Sequence, residues 1–156
     1  MSSYYERQIR LDPMDGTPTV QTEDDLAAER RIKTLLEERW DCECRPFGNY
    51  CPLDWFAIRN ERMIGVVEMK HRSHPHDAYP TVFLNVRKWV ALRLASVGLG
   101  VPDIYVVEFS DGEVRWVRVG LVDASRVEVS GCLRKVKAYN DIEPVIHVPL
   151  DQMQPL

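Results

Sequence analysis

The stretch Met63-Ile64-Gly65-Val66-Val67-Glu68-Met69-Lys70 is apolar and rich in β-branched residues, then ends in an acid and a base two positions apart. Such a run reads as a strand. Side chains alternate between strand faces, so Val66, Glu68 and Lys70 share one face and Val67 and Met69 the other. Two charges at the end of a buried strand carry a desolvation cost that something must offset, and a divalent cation does so directly.

Just upstream, Leu53–Arg59 (LDWFAIR) is a second strand-like run with Asp54 near its start, and Asn60-Glu61-Arg62 suits a tight turn. The two runs predict a hairpin. Asp54 precedes Glu68 by fourteen positions, so the hairpin would set the two carboxylates side by side. Adjacent carboxylates repel unless a proton or cation lies between them. Hard oxygen ligands of this kind favour Mg²⁺ or Mn²⁺ over zinc.

Before the hairpin, Thr22 followed by Glu23, Asp24 and Asp25 is a helix start: a cap, then acids at the positive end of the dipole. The helix should run to Arg39 or Trp40, with Leu26, Ile32, Leu36 and Trp40 inward. Glu29 lies within about 60° of that apolar face, which suits a third carboxylate better than a merely solvated acid. Cys42 to Cys51 reads as a strand and turn, His71–Pro80 as a polar loop, and Thr81–Leu84 as a short strand. Asn85 can cap a second helix from Val86 to about Val97, ended by Gly98 and Gly100. Asp103–Phe109 and Val114–Val122 read as strands joined at Ser110-Asp111-Gly112, and Val145–Leu150 as the last strand. Residues 1–21 show no clear period and read as an arm, and 22–156 as one domain. The order predicts an α/β fold with a mixed central β-sheet flanked by helices.

The whole chain agrees with a single compact domain: 156 residues, 45% of them hydrophobic, with charges of both signs interspersed. No apolar run approaches the roughly 20 residues of a membrane helix, and the N-terminus lacks a signal-peptide stretch. A cytoplasmic protein with four reduced cysteines and no membrane partner is the expectation. The net charge of −4 argues against a nucleic-acid partner. That objection weakens if a cation fills an acidic site, and basic residues do cluster at Arg126, Arg134, Lys135 and Lys137.

With Pro52-Leu53-Asp54 followed by Glu68-Met69-Lys70, the sequence resembles the PD-(D/E)XK, or restriction-endonuclease-like, nuclease superfamily. One extra residue, Leu53, separates Pro52 from Asp54. The resemblance spans roughly residues 22 to 110, from the helix carrying Glu29 to the helix carrying Lys88. The tail around Asn140-Asp141-Ile142-Glu143-Pro144 is similar to the ends of small phage-encoded members. The resemblance implies a restriction-endonuclease-like core and metal-dependent hydrolysis of DNA, by an endonuclease or junction-resolving enzyme. It implies that Asp54, Glu68 and the backbone carbonyl of Met69 hold Mg²⁺ or Mn²⁺, with Glu29 reaching the metal directly or through water. Lys70 would orient or help deprotonate the attacking water, or stabilise developing charge at phosphorus. Lys88 matches where relatives place a polar or basic residue near the scissile phosphate. For a phage-encoded member the location would be the cytoplasm of a bacterial host.

Each sharp reading has a plain counterpart. Among 24 acids, about one acid-x-Lys match arises by chance, and a surface pair of Glu68 with Lys70 is the bland alternative. Glu29 could instead pair with Lys33 at i+4, and Lys88 could be a solvated helix residue. Cys42, Cys44 and Cys51, with His71, His74 and His76, are not spaced like a common zinc module. The three histidines read as loop residues, with His71 a candidate phosphate contact, and Tyr79 and Trp89 as core or rim aromatics. Arg134, Lys135 and Lys137 are candidate DNA contacts or a solvated patch. Cutting two strands would suit a homodimer, and nothing calls for an organic cofactor. A non-catalytic binding or assembly module on the same fold is the other functional class, and the intact Asp54, Glu68 and Lys70 set argues against it.

Overall fold

The structure, a computed structural model, describes residues 8–11, 18–48, 51–133 and 142–156. Strands β1 (Gln8–Leu11) and β2 (Pro18–Gln21) pair antiparallel, so these parts of the expected irregular arm form a small ladder. Helix α1 (Glu23–Trp40) begins at Thr22 in a capping box: the Thr22 hydroxyl accepts from the Asp25 N–H, and the Asp25 carboxylate accepts from the Thr22 N–H. Strands β3 (Glu43–Pro46), β4 (Trp55–Arg59) and β5 (Arg62–Arg72) follow as an antiparallel meander. Asn60 and Glu61 both have positive φ, 49° and 59°, as a two-residue hairpin turn of the primed type requires.

Strand β6 (Thr81–Asn85) leads into helix α2 (Val86–Leu99), which returns the chain to β7 (Asp103–Phe109), parallel to β5. The helix passes through Gly98 and stops at Gly100, which takes φ 66°. Strand β8 (Val114–Arg118) forms a hairpin with β7 through Ser110-Asp111-Gly112. The run read as one strand to Val122 breaks at Val119, where a 3₁₀ turn begins. Strands β9 (Glu128–Leu133), β10 (Ile142–Pro149) and β11 (Gln154–Pro155) complete the order. The main sheet runs β11-β8-β7-β5-β4-β3, and β6-β10-β9 form a second one.

Strand alternation sorts the core. Val67, Met69, Ile104 and Val106 meet Ile32 and Leu36 of α1 on one face of the main sheet. Val66, Tyr105 and Val107 meet Leu92 of α2 and the second sheet on the other. A mixed sheet with one helix on each face is the architecture expected from the sequence. Glu68 and Lys70 alternate with Val67 and Met69, so they belong to the face covered by α2. No helix among the described residues is long and apolar enough to cross a membrane.

Candidate active site

Register brings Asp54 to Glu68. The two-residue turn pairs Arg59 with Arg62 and Ile58 with Met63. Continued unchanged, that ladder would place Asp54 opposite Val67, on the wrong face. It is not continued: Ala57 pairs with Gly65, and Ile64 is left without a partner in the β4–β5 ladder. This bulge shifts the register by one, so that Trp55 pairs with Val67 and the next step sets Asp54 across from Glu68. The Asp54 carbonyl accepts a hydrogen bond from the Phe47 N–H at 3.1 Å, which anchors the approach to β4.

The first turn of α2 then lowers Lys88 onto the pair. Its Nζ lies 2.7 Å from Asp54 Oδ1 and 3.2 Å from Glu68 Oε2, while Lys70 Nζ lies 2.8 Å from Glu68 Oε1. Glu68 is fully buried, Asp54 and Lys88 are mostly buried, and the Lys70 side chain is 34% exposed. Both Glu68 oxygens are closed off from solvent and face the two lysines and Asp54. They are matched only by the two ammonium charges.

The electrostatics follow from this crowding. Burial raises the Glu68 carboxyl above its ordinary range, against the pull of Lys70 and Lys88. Burial works in the same direction on Asp54, but Lys88 and Lys70 overcome it and hold that carboxyl well below the usual range. For Lys70, burial lowers and the charges of Glu68 and Asp54 raise, with a net rise. Lys70 is therefore a firmly protonated cation in this arrangement, better suited to stabilising charge or orienting water than to taking a proton.

The donor set fits a hard divalent cation. Two carboxylates of opposed proton affinity face each other, and the fully buried one meets only lysine ammonium groups as donors among the described residues. The Lys88 ammonium between them marks where positive charge is favoured. A separate group, His76, Asp77 and Asp111, brings ligand-type atoms within 4.8 Å of one another on the loop before β6 and the β7–β8 turn. It lies on exposed polar loops, and Asp111 already accepts from the His76 ring at 2.6 Å.

The other sequence candidates fall elsewhere. Glu29 is half-buried on α1, whose core side chains cover the face of β5 opposite to Glu68. His71 also faces that side, and its Nδ1 lies 3.0 Å from Glu108, which holds Arg31 in a two-pronged pair. Arg134, Lys135 and Lys137 lie outside the described residues. Trp89 packs on the core, and Tyr79 is exposed beside His74. Burial pushes the Cys44 thiol up to about 12, which makes it a poor thiolate ligand or nucleophile at neutral pH. Two residues not singled out from sequence, Arg72 and Tyr105, lie on the Glu68 face. Extending the alternation by one more step, from Glu68 and Lys70 to Arg72, would have found the first.

An acid-x-Lys pair on the central strand, an acid across the hairpin, and helices on both faces define a restriction-endonuclease-like protein of the PD-(D/E)XK class. The chain matches the family model described as "Phage putative PDDEXK endonuclease" over residues 16–156, and it belongs to that family. Among solved structures, Hjc, a Holliday junction resolvase from the archaeal hyperthermophile Archaeoglobus fulgidus, is similar, with a TM-score of 0.52 and 16% sequence identity. The match covers 83% of this chain and 92% of that one, and at this identity it bears on the fold alone. No curated protein matches the chain significantly.

Proposed function

We propose that this protein is a divalent-metal-dependent endonuclease that hydrolyses phosphodiester bonds in DNA, with Asp54, Glu68 and Lys70 at its centre. The observation that carries the reading is the fully buried Glu68, set across the bulged hairpin from Asp54 and facing two lysines. A carboxylate this costly to bury is hard to explain as a stabilising element.

Asp54, Glu68 and the Met69 carbonyl would hold Mg²⁺ or Mn²⁺. When bound, such a cation supplies Lewis-acid charge and a more acidic water. Lys70 and Lys88 place two ammonium groups where negative charge grows as the reaction proceeds. Water oxygen bonds to phosphorus in line, the opposite P–O bond breaks, and a proton reaches the departing oxygen. The likeness to a junction resolvase makes a branched duplex the substrate to try beside linear DNA, and cutting two strands favours a homodimer. A phage enzyme of this kind would work in the cytoplasm of its bacterial host.

Asp54→Asn and Lys70→Ala test the assignment. Each should lower cleavage of linear and four-way-junction DNA by about 100-fold or more, with the circular dichroism spectrum kept. Full activity in either folded variant would overturn the site.

A further inference from the structure

Arg72 continues the line of charges on β5. Its unbroken pairing with β7, from Val66↔Asp103 to Arg72↔Phe109, keeps Glu68, Lys70 and Arg72 on one face. At the ordinary strand rise, Arg72 stands about 6.6 Å beyond Lys70 along the strand. Its Nη2 donates to the Phe83 carbonyl at 2.5 Å and to the Tyr105 hydroxyl oxygen at 3.3 Å, and the guanidinium lies 6.0 Å from the Phe83 ring centre. The Nε is buried and has no hydrogen-bond partner among the described residues.

Among the described residues, Arg31, Arg45, Arg93, Arg115 and Arg126 each lie against a carboxylate. Arg72 is half-buried and has no such acid among them. A guanidinium in this setting carries an unreturned desolvation cost. Holding β6 in place does not account for it, because the Tyr105 hydroxyl already donates to the same Phe83 carbonyl at 2.5 Å. Three cations, Lys70, Arg72 and Lys88, lie on a face whose carboxylates near them are Asp54 and Glu68, Asp103 on the same face being taken by Arg93, and a bound metal would widen the excess. Among the described residues, the contacts of the guanidinium run through Nη2 to Phe83 and Tyr105, and the side chain is partly exposed.

We propose that Arg72 binds a backbone phosphate of the substrate strand next to the one being cut, fixing the strand relative to Lys70. The inference rests on the nuclease reading above. Phosphate, unlike a carboxylate of the chain itself, arrives only with substrate and matches a fixed guanidinium fork.

The test compares wild type, Arg72→Gln and Arg72→Lys in Mg²⁺, with KM, kcat and the salt dependence of DNA binding measured separately. Arg72→Gln should raise KM about tenfold or more, change kcat little, and reduce the slope of log K against log salt by about 0.9. Arg72→Lys should keep the slope. A set of substrates, each with one neutral methylphosphonate linkage beside the cut, gives a readout that needs no variant. One such linkage should raise the wild-type KM by a similar factor, and should not add to the effect of Arg72→Gln. If wild type cuts DNA but neither Arg72→Gln nor any neutral linkage moves KM or the slope, Arg72 is structural and the inference falls while the nuclease stands. If wild type neither binds nor cuts DNA, the nuclease reading fails and takes this inference with it.

Discussion

Replacing Glu68 with Gln should make the metal-free protein more stable, not less. The side chain is fully buried, and burial raises its carboxyl above the ordinary range despite the two lysines beside it. For an acid shifted in this direction, the favourable state is the protonated one. Its stability is fully present below the unfolded pKa and is lost as pH rises through the folded pKa, so at neutral pH the ionised group weighs against the fold. Gln keeps the shape and removes the charge. Lys88 keeps Asp54 at 2.7 Å, and Lys70 is one-third exposed, so neither cation is stranded. Losing one member of a buried pair commonly costs about 3–5 kcal/mol because it strands the other; with neither cation stranded here, what remains is relief of the raised proton affinity, about 1.4 kcal/mol for each tenfold change in it. Each kcal/mol moves Tm by roughly 2–4 °C at this chain length. The assay is thermal unfolding in EDTA at pH 7.5, repeated in Mn²⁺. Wild type should melt below Glu68→Gln in EDTA and gain in Mn²⁺, by about 2.7 kcal/mol at 100 times the Kd, while the variant gains little. A variant that melts several degrees below wild type in EDTA would refute the reasoning, because the Glu68 charge would then be a net stabiliser.

Other predictions follow from the packing. Deleting Ile64 removes the bulge but leaves Ala57 opposite Gly65, so the ladder runs unbroken from the turn and still sets Asp54 across from Glu68. A folded protein lacking it should keep cleavage, and loss of cleavage in that folded variant would show that Ile64 does more than set the register. Leu92→Ala empties a fully buried site beneath α2, so denaturant unfolding should report a loss of about 2–5 kcal/mol. A change under 1 kcal/mol would mean that the helix is loosely seated. Because burial lifts the Cys44 thiol to about 12, mass-resolved alkylation at pH 8 should label Cys44 far more slowly in the native than in the urea-unfolded protein. Equal rates would contradict its burial.

The parts of the site that depend on local period were legible in the sequence. Glu68 and Lys70 share a face because a strand alternates, and Asn60-Glu61 turns the hairpin as its residue types suggest. The pairing of Asp54 with Glu68 was expected for an incomplete reason. A two-residue turn alone puts Asp54 opposite Val67, and the unpaired Ile64 corrects it. A single extra residue leaves little trace in hydrophobic pattern, apart from the adjacent Gly65. Lys88 could be placed on a helix by period, but not over two carboxylates, because the crossover that carries α2 onto that face is tertiary. The run to Val122 looked like continuous strand because its apolar residues persist through a 3₁₀ turn. The expected irregular start was misjudged because Gln8–Leu11 and Pro18–Gln21 pair without a strong alternating pattern.

The most direct test of the central claim is cleavage of labelled linear, nicked and four-way-junction DNA by wild type and Glu68→Gln, with Mg²⁺, Mn²⁺ or EDTA. The account predicts cutting by wild type only when a divalent metal is present, and none above background by Glu68→Gln on any substrate. Cutting that survives EDTA, or that Glu68→Gln performs as well as wild type, would contradict it.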